Sequence, residues 1–353
     1  MQIFYYQAEE GNFGDDLNTW LWPNLIPDCW QKEDDTLFVG VGTVLNDALP
    51  KRKRNVVFGS GVGYQPFSGD IKDGSWDVYC VRGPLSARVL GLDDEKSVTD
   101  TALLVRDFYG VIPAQDREGV VFVPHISTVK EGKWREVCRK ADIKYIDPRG
   151  DAEKIAEEIS KATVVLADAM HAAIFADAMR VPWIPVVTTV EINTFKWLDW
   201  ADGMDVPYRP IILSQSSVLE RVKNLFFFLG GEVQTLFLET EDSQKRLNLP
   251  SNAHDIALSY YETRFLTKRA GLVEGRRKWA LRIYQRVIKP LLGNSVAQYL
   301  LSPVDSIYTN RAVKSLQQAV GGSTYLSEDE LCTSKLMELR SLLAEIKLNH
   351  APK

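Results

Sequence analysis

The sequence predicts an α/β protein built on parallel sheets, followed by a mainly helical C-terminal region. Three observations predict it. Strand-like apolar runs alternate with helical segments over the first two hundred residues. Most of these runs are short and continuously apolar, the pattern of strands buried on both faces. After about Pro210 the alternation fades and helical segments follow one another. Alternating β and α units imply a parallel sheet with helices on both sides.

In chain order, the first strand is Ile3-Phe4-Tyr5-Tyr6, which runs into Gly11-Asn12-Phe13-Gly14-Asp15-Asp16 and a helix start. Further strands are expected at 36–41, 56–59, 78–81, 120–123, 144–146, 164–166 and 183–187, with helices at 84–90, 134–141, 152–161 and 171–179. The polar, turn-rich stretch 111–119 reads as a linker. It divides the chain into an N-terminal domain (1–115), a second α/β domain (116–213) and a helical extension (214–353). The extension is expected to hold helices at 214–229, 253–266 and 328–348 and a short strand at 233–238. Ser327 and Glu330 are spaced as a capping box for the last helix.

Composition narrows the function. A net charge of −5 over 353 residues argues against a general nucleic-acid binder. No apolar run approaches the roughly 20 residues that span a bilayer. No leader pattern precedes the first strand, so a cytoplasmic protein is expected. Its four cysteines lack pairing or metal-ligand spacing, so free thiols and no metal are expected.

The chemistry-bearing residues collect at strand ends. The loop after the first strand bears glycines and opens a helix, where backbone N–H groups receive anions. It lacks the dinucleotide fingerprint, and Asp15 and Asp16 would repel a phosphate pressed against them. It suits an acceptor hydroxyl or a proton transfer beside an anion site; a helix cap by either acid is the alternative. Gly40-Val41-Gly42-Thr43 and Gly59-Ser60-Gly61-Val62-Gly63 end the next two strands. They are either tight turns or open N–H cradles for carboxylate or phosphate. Arg82 follows the strand at 78–81 and either grips an anion bidentately or pairs with an acid such as Asp100. Arg149 is a second strand-end cation, or a turn residue. His125 and His171 also stand at strand ends. His171 opens a helix, whose N-terminus lowers an imidazole pKa and suits proton exchange. Asn12, Gly42, Thr43, Gly61 and Lys196 complete the expected substrate-binding set.

The glycine loops, Val81-Arg82-Gly83-Pro84-Leu85-Ser86, Thr99-Asp100-Thr101-Ala102, Pro124-His125, Ala169-Met170-His171-Ala172-Ala173-Ile174 and Phe195-Lys196-Trp197-Leu198-Asp199-Trp200 occur in this order. Over about residues 1–210 the series resembles the polysaccharide pyruvyl transferases of bacterial exopolysaccharide assembly. The resemblance implies two Rossmann-like domains arranged as in GT-B glycosyltransferases. It also implies transfer of a pyruvyl group from phosphoenolpyruvate to two hydroxyls of one sugar on a lipid-linked oligosaccharide, with no cofactor. It maps an acid to Asp15 with Asp16 beside it, an arginine to Arg82 and a helix-opening histidine to His171. Many members carry Arg-Leu-His where this chain has Ala169-Met170-His171, so one donor-binding arginine is missing and Arg149 is a candidate replacement. His171 is then expected as donor-side acid or phosphate partner, Asp15 or Asp16 as acceptor-side base, and His125 in either role. A sugar-nucleotide glycosyltransferase of the same architecture and a non-catalytic assembly scaffold are the alternatives; the loss at Ala169 favours the scaffold.

The segment 264–289 opens on Arg264, closes on Lys289 and is strongly basic, with Trp279, Ile283, Tyr284 and Val287 at helical spacing. It is either an inner-membrane contact or a docked helix with a solvated basic face. An oligomer is compatible with all these readings.

Overall fold

The computed structural model describes residues 1–31, 35–231, 233–236, 249–266 and 270–351, the side chains of 270–274 apart. Two fully parallel sheets form its centre. The first has β1 (Gln2–Phe4), β2 (Thr36–Val39), β3 (Arg54–Phe58) and β4 (Trp76–Cys80) in the order β1-β2-β3-β4. The second has β5 (Val120–Val123), β6 (Lys144–Tyr145), β7 (Val164–Ala167), β8 (Trp183–Val187) and β9 (Ile211–Ile212) in the order β6-β5-β7-β8-β9. The strands are short, and β8 is buried at every residue, as continuous apolar runs require. In the second sheet the chain leaves β5 in one direction to β6 and in the other to β7. That reversal opens a crevice at the carboxyl ends of β5 and β7.

The C-terminal region differs from expectation in three places. Residues 233–236 are not a strand, and 237 and 238 lie outside the described residues. Ser327 does not cap the last helix, Asp329–His350: its hydroxyl donates to the Asp177 carboxylate at 2.5 Å, and Glu328 stands at the cap. The 26-residue helix Ser295–Val320 carries Pro303 in its third turn and buries mainly small or polar side chains, so its sequence shows little inward periodicity. The region folds back on both sheets. Tyr325 pairs with Trp183 as an antiparallel bridge, and Arg340 reaches Asp107 on the first half.

One buried ion pair ties the two halves together. Arg82, just after β4, donates from Nε to Asp199 Oδ2 at 2.9 Å, and Nη2 lies 2.9 Å from the same oxygen. Asp199 belongs to the helix Thr194–Gly203, 117 residues further on, and also accepts from the Ser86 backbone N–H and hydroxyl. Both side chains are fully buried. Removing one partner strands the other charge in a dry interior, at a cost of about 3–5 kcal/mol. Asp199→Ala is therefore expected to lower the urea-unfolding free energy by about that amount, and Arg82→Met with Asp199→Leu to recover most of it. A loss below about 1 kcal/mol for the single variant would show that the pair does not hold the halves.

Candidate active site

The carboxyl ends of both sheets enclose a cavity of about 780 Å³, large enough for a small anionic donor and part of a sugar. Loops of the first sheet contribute Asn12, Asp15, Thr43 and Tyr64; those of the second contribute His125, His171, Glu191 and Lys196. His125 directly follows β5 and His171 opens the helix after β7, so the two imidazoles flank the crevice where the strand order reverses.

Gly14, beside Asp15 in the first-sheet loop, packs directly against the His171 ring. A Cβ on Gly14 would stand 1.9 Å from His171 Nδ1, so only glycine admits the ring there. Asp15 accepts from the Asn12 side-chain amide, and its Oδ1 lies 3.1 Å from where a Cβ on Gly42 would sit. Burial pushes its carboxyl up to about 7; the nearby Lys196 charge opposes that rise and Asp16 adds to it. His171 is driven down to about 3, first by burial and then by the Lys196 and Arg82 charges. Its Nε2 faces Asp100 Oδ2 at 3.8 Å, and both atoms are buried without a hydrogen-bond partner. Burial likewise lifts Asp100 to about 6. The sequence reading placed Asp100 only as a possible partner of Arg82; its position at the start of a loop in the Thr99-Asp100-Thr101-Ala102 motif was the available signal.

His125 is also held near 3, by burial and then by Lys196 and Lys223. Its Nδ1 accepts from the Ser127 N–H at 3.3 Å, which leaves the neutral ring's proton on Nε2. Burial thus favours neutral imidazoles at both histidines and brings the Asp15 carboxyl to the edge of protonation near pH 7. Lys196 donates to the Tyr64 hydroxyl at 2.9 Å and lies over the Tyr64 ring, with no carboxylate within 4 Å among the described residues. Beside it the helix Met170–Ala178 begins with no side-chain cap on its N-terminal N–H groups. Glu191, missed in the sequence, lines the same wall and is paired with Lys223 at 2.6 Å.

Five expected ligand or catalytic groups lie elsewhere. Arg82 stands behind the wall, its donors taken by Asp199, the Val62 carbonyl and the Thr43 hydroxyl. Gly61 makes room for that guanidinium, since a Cβ would sit 2.5 Å from it, and its N–H is bonded to the Gly42 carbonyl. Gly42 clears Asp15 in the same way, so both glycines make room for functional side chains. Asp16 turns back to accept from the Asn12 N–H at 2.8 Å. Arg149 lies in a separate shallow depression, bound to Asp147 and to Glu10 at 2.8 Å, and these bonds hold its pKa up. It does not enter the cavity. Among the described residues no group of three or more His, Cys, Asp or Glu side chains is placed to hold a metal ion.

The polysaccharide pyruvyl transferase family model matches residues 12–189. The succinoglycan biosynthesis protein ExoV of Rhizobium meliloti (strain 1021) is 41% identical over 252 residues, covering 70% of this chain and 78% of that protein. The chain belongs to the polysaccharide pyruvyl transferase family. No solved structure matches it. The matched span contains Asp15, His125 and His171 but ends before Lys196. Within this pyruvyl transferase, Lys196 is the cation that reaches the cavity beside Ala169.

The Asp15 shift has a consequence for stability. In an unfolded chain the carboxyl titrates near 4, and in place at about 7. The native state holds the extra proton between these values, so stability falls as pH rises through them. Asp15→Asn removes that loss. It is expected to melt at or above the wild-type temperature at pH 8, with a smaller difference at pH 4. A variant that melts lower at pH 8 would contradict the burial of this carboxyl.

Proposed function

We propose that this protein transfers the pyruvyl group of phosphoenolpyruvate onto two hydroxyls of one sugar in an exopolysaccharide precursor, giving a cyclic ketal and inorganic phosphate. Family membership and the succinoglycan role in the relative's name support the reaction class. The observation that carries the reading is the juxtaposition of Lys196, an uncapped helix start, protonated Asp15 and neutral His171 in one cavity. The two parallel sheets that enclose it support the GT-B-like arrangement implied by the resemblance.

The chemistry runs as follows. Lys196 and the N–H groups opening Met170–Ala178 hold the donor's phosphate and carboxylate. Lys196 supplies the charge of the arginine missing at Ala169. Asp15 gives its proton to the methylene carbon, and the adjacent carbon becomes cationic. A sugar hydroxyl attacks that carbon and loses its proton to His171. A second hydroxyl displaces phosphate at the same carbon and loses its own proton, which leaves with the phosphate. Two protons are thus delivered, to carbon and to phosphate, and two are taken from the hydroxyls; return of the His171 proton to Asp15 through solvent resets the site. Asp100, behind His171, steadies the imidazolium formed in the first attack. The acceptor is a lipid-linked oligosaccharide, and the reaction takes place on the cytoplasmic side of the membrane.

Phosphate release from phosphoenolpyruvate across a panel of lipid-linked oligosaccharides tests this. Turnover is expected to decline above pH 7 as Asp15 ionises. Lys196→Met is expected to raise KM for phosphoenolpyruvate about ten- to a hundredfold, the cost of a charge-assisted contact. His171→Gln is expected to lower kcat by about a hundredfold or more with melting unchanged. Stabilisation by a nucleotide sugar, with no response to phosphoenolpyruvate, would replace this reading with glycosyl transfer.

A further inference from the structure

A protein of net charge −5 carries one strongly basic arm. Between Gly275 and Asn310 the sequence has six basic residues and a single acid, Asp305. That acid is buried and paired with Lys133 at 2.8 Å. Lys289 is bound to Glu131, whereas Arg282 and Arg286 are exposed, with no carboxylate within 4 Å among the described residues.

The same arm turns large apolar side chains to solvent. Its first half runs through the helix Ala270–Ile283, a π-turn at Tyr284–Ile288 and the short helix Lys289–Gly293. Trp279 is 61% exposed, Val287 51% and Leu291 62%. A spacing of four drifts by about 40° per step in an α-helix, and the wider π-turn takes part of that drift back. The three residues thereby stay on one side, while Tyr284 turns inward against Phe226 and Phe227.

The second half is the start of the helix Ser295–Val320. Val296, Tyr299, Leu300 and Ile307 are between 53% and 80% exposed. Their spacing is that of one helical stripe, and the residues the helix buries instead are Asp305, Thr309, Ala312, Ser315, Leu316 and Ala319. Up to Asn310 the amphipathy is inverted: the polar Asp305 and Thr309 face the protein and the large apolar side chains face out. Packing within this chain does not explain such a face.

We propose that the arm 275–310 is a docking surface for an anionic lipid bilayer. Exposed Arg side chains meet the headgroup charge, and Trp279, Tyr299 and Leu300 enter the interface to shallow depth. Trp and Tyr are the side chains suited to that boundary. No helix among the described residues is long and apolar enough to cross a membrane, so the contact is peripheral. Electrostatic attraction over a screening length of about 8 Å at physiological salt makes it reversible and salt-sensitive. The inference does not depend on the reaction proposed above.

Co-sedimentation with vesicles of phosphatidylcholine alone, and with phosphatidylglycerol added, tests it on the full chain. Binding is expected on the mixed vesicles only and is expected to weaken at least tenfold from low to high salt. Arg282→Glu with Arg286→Glu, and separately Tyr299→Ser with Leu300→Ser, are expected to abolish it with unchanged melting. Brominated lipids are expected to quench part of the tryptophan emission, and Trp279→Phe to remove that part. If a variant pair unfolds, the Trp279 quenching decides alone. No vesicle binding, binding indifferent to these changes, or a dimer dispersed by Leu300→Ser that ignores vesicles would overturn the proposal, the last in favour of a second copy of the chain.

Discussion

The site depends on the Arg82–Asp199 ion pair more than on any group that lines it. The pair joins the end of β4 to the helix Thr194–Gly203, and that helix carries Lys196 one turn before Asp199. Asn193, at the cap of the same helix, donates to the Gly63 carbonyl at 2.9 Å, and Lys196 reaches Tyr64. Arg82 also fixes the Thr43 hydroxyl on the cavity wall. One buried bridge thus sets the distance between the Gly-Asn-Phe-Gly-Asp loop of the first sheet and the histidines of the second. A buried pair contributes little net stability against an apolar alternative, but breaking it is costly. That asymmetry suits a device whose effect is to hold two halves in one register.

Inside the frame, burial rather than local charge sets the proton positions. It raises Asp15 and Asp100 toward neutrality and empties both imidazoles of their second proton. Among the described residues that line the cavity, Lys196 is the one lysine or arginine. In the proposed reaction an anionic donor brings its negative charge to that cation and the helix start, and the raised Asp15 pKa lessens the repulsion between its carboxyl and the phosphate. The objection that two acids at the loop would push an anion away is met by protonation of Asp15 and by Asp16 turning to the Asn12 N–H.

Much of this was legible in the sequence. Alternating apolar runs marked every strand except β9, a two-residue strand too short to carry a period. Asp15, His125, His171 and Lys196 were readable because strand ends and helix starts are local features. Arg82 was not, because the acid that claims its guanidinium is chosen by tertiary approach: Asp199 lies 117 residues away. Arg149 is held locally by Asp147, two residues earlier, as well as by the distant Glu10. The glycine loops were left as either tight turns or N–H cradles, and sequence alone does not distinguish a glycine that frees an N–H from one such as Gly14 that admits His171. The basic arm was seen, but Trp279, Tyr284 and Val287 were read as one apolar stripe, whereas Tyr284 is buried and the other two are exposed; a π-turn leaves no mark in a helical period.

A crystal structure of the protein with phosphoenolpyruvate tests the central claim most directly. The account predicts the donor in the two-sheet cavity, its phosphate and carboxylate shared between Lys196 and the start of Met170–Ala178, and its methylene carbon within reach of Asp15. Phosphoenolpyruvate bound instead at Arg149, in the shallow depression with Glu10 and Asp147, would contradict it.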